Sequence, residues 1–230
     1  MTGQYQISKT SYVRDVVNAR RSPTRILGRA FYRRHPAKVA RDLIGKILVR
    51  RIGRVLLAGR IVETEAYSSG DPASHAYRGL TPRNRALFGD VGHAYIYQTH
   101  GQFCLNVVAK AGQPAGGVLL RALEPGRGIG LMKRLRRGGD ARRLTKGPGN
   151  LARAFGIDLR LYGADVTKPG PLFIAAGGAV KPKVLRTPRI GVTSAKEVRW
   201  RFVPAAASGR TSPAAGRGSG QTRQRGRNRT

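Results

Sequence analysis

Two runs of apolar residues at strand spacing, ILVRRI at 47–52 and VLLAGRIVETEAY at 55–67, predict a pair of β-strands. The short polar turn at Gly53 and Arg54 between them predicts a hairpin. Upstream, residues 25–45 carry a helical pattern. Pro36 suits a first turn, Val39, Leu43 and Ile44 recur at helical spacing, and Gly45 stops the run. Downstream, AYIYQTHGQFCLNVVA (94–109) predicts a strand pair, or one bulged strand, broken near Gly101. GGVLLRALEP (116–125) predicts another strand. Residues 127–137 and 148–155 predict short helices, the second opened by Pro148 and ended by Gly156. Short strands are expected around 171–175, 189–193 and 199–203.

Between these runs the chain changes character. Residues 68–93 are rich in Gly, Pro, Ser and Asp, and a loop of that length is commonly functional or disordered. Residues 1–24 are polar and basic without sustained periodicity, which predicts a frayed arm. From 205 to 230 the composition is Gly, Ser, Arg, Gln and Pro, which cannot build a core. No internal repeat is visible. Hairpins and helices without regular βαβ alternation predict an α+β fold, mostly antiparallel, in one domain over residues 25–204.

Charge changes the picture. Lys and Arg number 44 against 11 Asp and Glu, for a net +33. Residues 205–230 contribute six arginines and no lysine or acid, and removing those six from +33 leaves +27. The rest of the chain is therefore itself basic, and a polyanion such as nucleic acid is the expected partner. A membrane surface would call for an amphipathic basic helix with a broad apolar face, and the sequence offers none. Cys104 is the single cysteine, which excludes an intramolecular disulfide and any multi-cysteine zinc site, and fits a reducing compartment. No apolar run approaches a membrane span and the N-terminus has no signal-peptide core, so a cytoplasmic location is expected.

Some residues stand out against that background. On an extended strand Glu63, Glu65 and Tyr67 share one face, and Val62, Thr64 and Ala66 the other. Two carboxylates on one face of so basic a chain suit proton transfer from water. Spacing alone equally allows a solvated face whose acids pair with arginines. Arg121 lies inside an apolar strand with Leu119 and Leu123 on its own side, so it needs an anionic partner, for which Glu65 is a candidate. Asn106 is likewise polar within an apolar run. His75 sits in the long loop between Tyr67 and Tyr77. A loop histidine is commonly a surface residue, but aromatics around it suit stacking on a nucleobase. Tyr95 and Tyr97 alternate on one strand face, where packing is the plainer explanation. LTKGPGNLARAFG sets Lys146, Gly147 and Gly149 at a helix N-terminus, a phosphate-binding arrangement without P-loop spacing.

Seven segments together resemble the 3-methyladenine (alkylpurine) DNA glycosylase family: ARDLIGKILV, GRIVETEAY, ASHAYRGLTPRNRALF, GHAYIYQTHGQFCLNVV, GGVLLRALEP, GPGNLARAFGI and TPRIGV followed by WRF. They keep the family's order over roughly residues 30–203. The resemblance implies a single α+β domain like the C-terminal domain of formyltransferases, with no metal and no Schiff base. It implies a monomer that extrudes a damaged purine from duplex DNA and hydrolyses its glycosidic bond, leaving an abasic site in base excision repair. In this chain Glu65 matches the general base and Arg121 an arginine near the catalytic water and phosphate. Tyr67 and His75 match the base pocket, Tyr97 the aromatic opposite, and Asn106 the residue that excludes unmodified purines.

The chain departs from the family at His100, where a tyrosine usually serves as the wedge filling the gap in the duplex. It also departs after WRF, where a last strand is usual and VPAAASGRTSP follows, so a shortened end is expected. Two other readings stand beside this one. In the first, the protein only binds nucleic acid and Glu65 is structural. In the second, Lys146 is the nucleophile of a glycosylase/lyase.

Overall fold

The computed structural model describes residues 25–138, 143–177 and 182–205. The expectations for the arm at 1–24 and for the tail from 206 onward lie outside these residues. The first expected helix is shorter than its pattern. After a 3-10 turn at Arg29–Phe31, α1 runs only over Pro36–Leu43. Proline has no N–H to donate and forces the residue before it out of helical geometry. His35 is accordingly extended and caps the helix instead, its Nδ1 accepting from the Ala37 N–H at 3.2 Å.

The strands are β1 (Ile47–Ile52), β2 (Val55–Ser68), β3 (Ala94–Thr99), β4 (Gln102–Val108), β5 (Gly116–Arg127), β6 (Leu172–Ala175), β7 (Val184–Thr187) and β8 (Arg201–Pro204). They form one antiparallel sheet in the order β3-β4-β5-β2-β1-β6, with β8 paired to both β2 and β7. β2 organises the rest. One of its edges pairs with β5 from Ala58 to Ser68. The other pairs with β1 up to Arg60 and with β8 at Thr64 and Glu65. The register with β5 shifts twice between Ile61 and Thr64, where one partner leaves β2 and the other arrives.

That irregularity corrects one expectation. Glu63 pairs with Ala122 and Thr64 with Leu120, so Arg121 is the extra residue of the bulge. Leu119 stays on the Arg121 side, whereas Leu123 turns into the main core with Leu120. Val62 falls at the shift, while Thr64 and Ala66 are fully buried on the α1 side. There Val39, Ala40 and Leu43 of α1 meet Ile61, Leu105, Val107, Val118 and Leu120 of the sheet. Each valine, leucine or isoleucine among them contributes about 1.5–3 kcal/mol on burial. Thr64 Oγ1 spends its donor on the Ala40 carbonyl at 2.8 Å.

The remaining helices are α2 (Arg85–Phe88), α3 (Ile129–Leu135) and α4 (Pro148–Ala154), with a 3-10 turn at Leu159–Leu161. α2 is one turn inside the long loop expected at 68–93. Residues 189–193 are not the expected strand: Pro188 cannot donate to a ladder, and Gly191 turns the chain with φ 75°. The strand lies instead at β7, and β8 is the last strand, pairing with β2 despite the departure after WRF. The fold is α+β, as the pattern predicts. No described helix is long and apolar enough to cross a membrane.

Candidate active site

The face of the sheet away from α1 carries a row set by register. Tyr95 pairs with Asn106, Asn106 with Leu119, Leu119 with Glu65, and Glu65 with Arg201. Directly opposed residues on antiparallel strands share a face. On one side of this row Tyr97 stands opposite Cys104, and on the other side Tyr67 stands opposite Gly117. Above these rows lies a cavity of about 410 Å³. Tyr67, His75, Tyr95, Tyr97, Asn106 and Arg121 line it, with Leu119 and Gly117 on the sheet. Loop residues 72–75 and 190–193 close its sides. Its size suits a small aromatic ligand.

Glu65 stands behind this wall, with no solvent exposure and no place in the lining. Its Oε2 accepts from Tyr67 Oη at 2.8 Å and from Arg121 Nη1 at 3.1 Å. Its Oε1 accepts from the Ile190 N–H at 2.8 Å. Three donors occupy three of about four acceptor positions of a carboxylate, leaving one on Oε1. Glu63 is the other half of the arrangement: its Oε1 accepts from Arg121 Nε at 3.0 Å and from Arg201 Nε at 2.6 Å. The two carboxylates therefore do not face each other bare, because Arg121 bridges them. Burial works against the Arg121 charge, but Glu65 and then Glu63 outweigh it, and its pKa rises. Burial, then the Glu65 charge and hydrogen bond, push the Tyr67 phenol far above its ordinary range, so Tyr67 is a donor at any physiological pH.

The aromatic side is equally connected. His75 Nδ1 lies 2.8 Å from Tyr95 Oη, and the His75 and Tyr97 rings meet edge-on with centroids 4.4 Å apart. A flat base therefore does not fit between His75 and Tyr97. Tyr67 lines the other side of the cavity from β2, three strands from β3 in the sheet. Burial, then Arg83, lower the His75 pKa, so the ring is neutral at pH 7. Burial raises Tyr95 to about 12 and keeps the Cys104 thiol protonated. Asn106 is buried and donates to the Tyr95 carbonyl at 3.3 Å.

The other sequence candidates fall elsewhere. Tyr77 is exposed and outside the lining. Lys146 is exposed, bridges Ala122 through its backbone, and is also outside the lining, although Pro148 reaches it. Gly149 is buried against the Gln102 side chain, which would have to shift to admit a Cβ. His100 and Gly101 form the two-residue turn between β3 and β4, both with positive φ (46° and 69°), the geometry hairpins favour. His100 is exposed, one residue beyond Thr99 at the cavity edge. Among the described residues no group of three His, Cys, Asp or Glu is placed to hold a metal ion.

Residue-by-residue reading of the sequence missed three things. Asn84 is 3% exposed; its amide donates to the carbonyls of His75 (2.7 Å) and Gly79 (2.9 Å), and its Oδ1 accepts from the Thr81 N–H, so it shapes the loop carrying His75. Asp71 and Arg189 form a buried ion pair joining the two cavity loops. Ile190 supplies a backbone donor, which no side-chain pattern announces.

The sequence matches the family described as Methylpurine-DNA glycosylase (MPG) over residues 30–208. A protein of Carboxydothermus hydrogenoformans, named as a 3-methyladenine DNA glycosylase, is 47% identical over 179 residues, covering 77% of this chain and 94% of that protein. Two others bear the same name. One from Methanoculleus marisnigri is 44% identical over 178 residues, covering 75% and 92% of the two chains. One from Methanocella arvoryzae is 47% identical over 184 residues, covering 77% and 91%. The chain belongs to the methylpurine-DNA glycosylase family, hydrolases that act on the N-glycosidic bond of DNA.

Proposed function

We propose that this glycosylase takes an alkylated purine out of duplex DNA and cleaves its N-glycosidic bond with water activated by Glu65, acting as a monomer and leaving an abasic site. The observation that carries the reading is Glu65. A fully buried carboxylate, aligned by three donors behind an aromatic cavity, sits in a chain of net +33. A protein that merely held DNA would gain nothing from a buried acid at its base pocket.

The flipped purine lies between Tyr67 on one side and the His75–Tyr97 pair on the other. Stacking returns roughly 1–3 kcal/mol, against a few kcal/mol for unstacking the base from the duplex. A methylated purine is cationic, which suits the electron-rich faces of the tyrosines. Neutral His75 accepts or donates a hydrogen bond without repelling that charge. Asn106, fixed by the Tyr95 carbonyl, meets the purine edge and disfavours unmodified bases. The attacking water enters through the wall formed by Tyr67, Arg121 and Ile190 and takes the remaining acceptor position of Glu65. Arg121 holds Glu65 in place and attracts the phosphate of the extruded nucleotide. His100 fills the gap in the duplex, and Lys146, Gly147 and Gly149 lie along the phosphate backbone. Lys146 stands outside the cavity lining, which supports water rather than an amine as nucleophile.

The test uses the full chain and duplexes with a single lesion each: 3-methyladenine, 7-methylguanine, hypoxanthine or ethenoadenine. Free base and an alkali-labile abasic site are expected, with no protein–DNA adduct on borohydride treatment. Binding without base release would identify a non-catalytic protein, and a trapped adduct would identify a lyase.

A further inference from the structure

We propose that Arg189 and Asp71 are positioning residues for excision: their buried ion pair fixes the loop at 188–195 so that the Ile190 N–H stays on Glu65 Oε1. This rests on the reading of Glu65 as the base. Neither residue lines the cavity, so both act through the loop. The Arg189 side chain is fully buried and grips the Asp71 carboxylate with both terminal nitrogens, Nη2 to Oδ1 at 3.0 Å. The same two nitrogens also donate to backbone, Nη1 to the Ala66 carbonyl at 3.1 Å and Nη2 to the Ala195 carbonyl at 3.4 Å, while the buried Nε has no partner among the described residues. The guanidinium lies over the Tyr67 ring at 4.7 Å and near Trp200 at 5.8 Å. One side chain thus ties the end of β2, the loop before His75 and the loop carrying Ile190.

The loop needs such a tie. Residues 189–193 belong to no strand, so no ladder aligns their N–H groups. Ala195 has φ 48°, a left-handed conformation that a residue other than glycine keeps only where its surroundings impose it. Its carbonyl is one of the Arg189 acceptors. A buried ion pair is also a weak source of stability compared with well-packed apolar residues. Its geometry, a two-pronged grip that lysine cannot reproduce, fits positioning better. Ile190, Gly191, Val192 and Thr193 line the cavity, so the same tie shapes one of its walls.

The test compares wild type with Asp71→Asn, which keeps the shape and removes the charge, and Arg189→Lys, which keeps the charge and removes the fork. Three quantities are measured: the single-turnover rate on a lesion duplex, Kd for an abasic product duplex, and amide exchange at Ile190. Whichever variant keeps its cooperative unfolding serves. Excision is expected to fall about 10- to 100-fold, the scale for misplacing a catalytic group by an ångström. Kd should stay within about threefold, and the Ile190 amide should lose protection. Adding Asp71→Asn to Glu65→Gln should cost nothing further, because residues acting as a unit are non-additive. A wild-type rate, an excision loss with Ile190 still protected, or the same loss in both backgrounds would overturn the proposal. Normal excision by Glu65→Gln alone would instead overturn the reading on which it rests.

Discussion

Tyr67 donates its phenolic hydrogen to Glu65 across 2.8 Å, from two residues further along the same strand. The strand period brings both side chains to one face, and Arg121 on β5 fills the space beside them. The ring of Tyr67 therefore forms cavity wall while its hydroxyl orients the carboxylate behind it. The two roles separate by mutation. Tyr67→Phe keeps the ring and removes one hydrogen bond to a charged group, worth about 1.5 kcal/mol or more. Single-turnover excision is expected to fall roughly tenfold with lesion binding nearly unchanged. Tyr67→Ala should weaken lesion binding as well, by roughly 1–3 kcal/mol of lost stacking. Equal effects of the two variants on rate and on binding would remove the hydroxyl from the account.

His75 gives a pH dependence with a definite sign. Burial and Arg83 lower its pKa from the ordinary 6.5, so the ring is neutral at pH 7 and becomes charged only below that value. A charged His75 would repel a cationic methylpurine more than neutral hypoxanthine. The ratio of excision rates for 7-methylguanine over hypoxanthine is expected to be flat above about pH 6.5 and to fall below it. His75→Gln should flatten the ratio throughout. Lesion-specific rates across the acid range check this, and a ratio that changes only on the alkaline side would contradict it.

His100 occupies a turn position with φ 46°. A wedge there is expected to matter for duplex and not for single-stranded substrate. His100→Gly relieves the left-handed backbone while removing the side chain, so any loss reports the side chain alone. Duplex excision should fall several-fold with single-strand excision unchanged. Equal losses on both substrates, or none on either, would contradict the wedge assignment.

Much of this site was legible because strands print their faces into the sequence and because the family resemblance marks which residues on those faces matter. Glu65, Tyr67, Tyr97, Asn106 and Arg121 sit on β2 to β5, where period two marks the strands and the turns at Gly53 and Gly101 mark two hairpins, whereas the pairing of β5 with β2 and β4 has no local signal. What was hidden breaks that period. The bulge at Arg121 moved Leu123 to the other face, and no composition marks a bulge in advance. The loop at 189–193 resembles a strand in sequence because Ile190 and Val192 alternate like one. Its alignment depends on a side-chain pair 118 residues apart in sequence, Asp71 and Arg189. Asn84 acts through the backbone of His75, and the helix at 25–45 was cut short by Pro36.

Activation of the water by Glu65 is tested most directly by removing its charge alone. Glu65→Gln keeps the size of the side chain and removes its capacity to take a proton. The measurement is single-turnover release of base from a lesion duplex, beside the Kd for the same duplex. Release is expected to fall about 10²- to 10⁴-fold with Kd changed only a few-fold. Release at close to the wild-type rate, from a variant that still folds and binds, would contradict it.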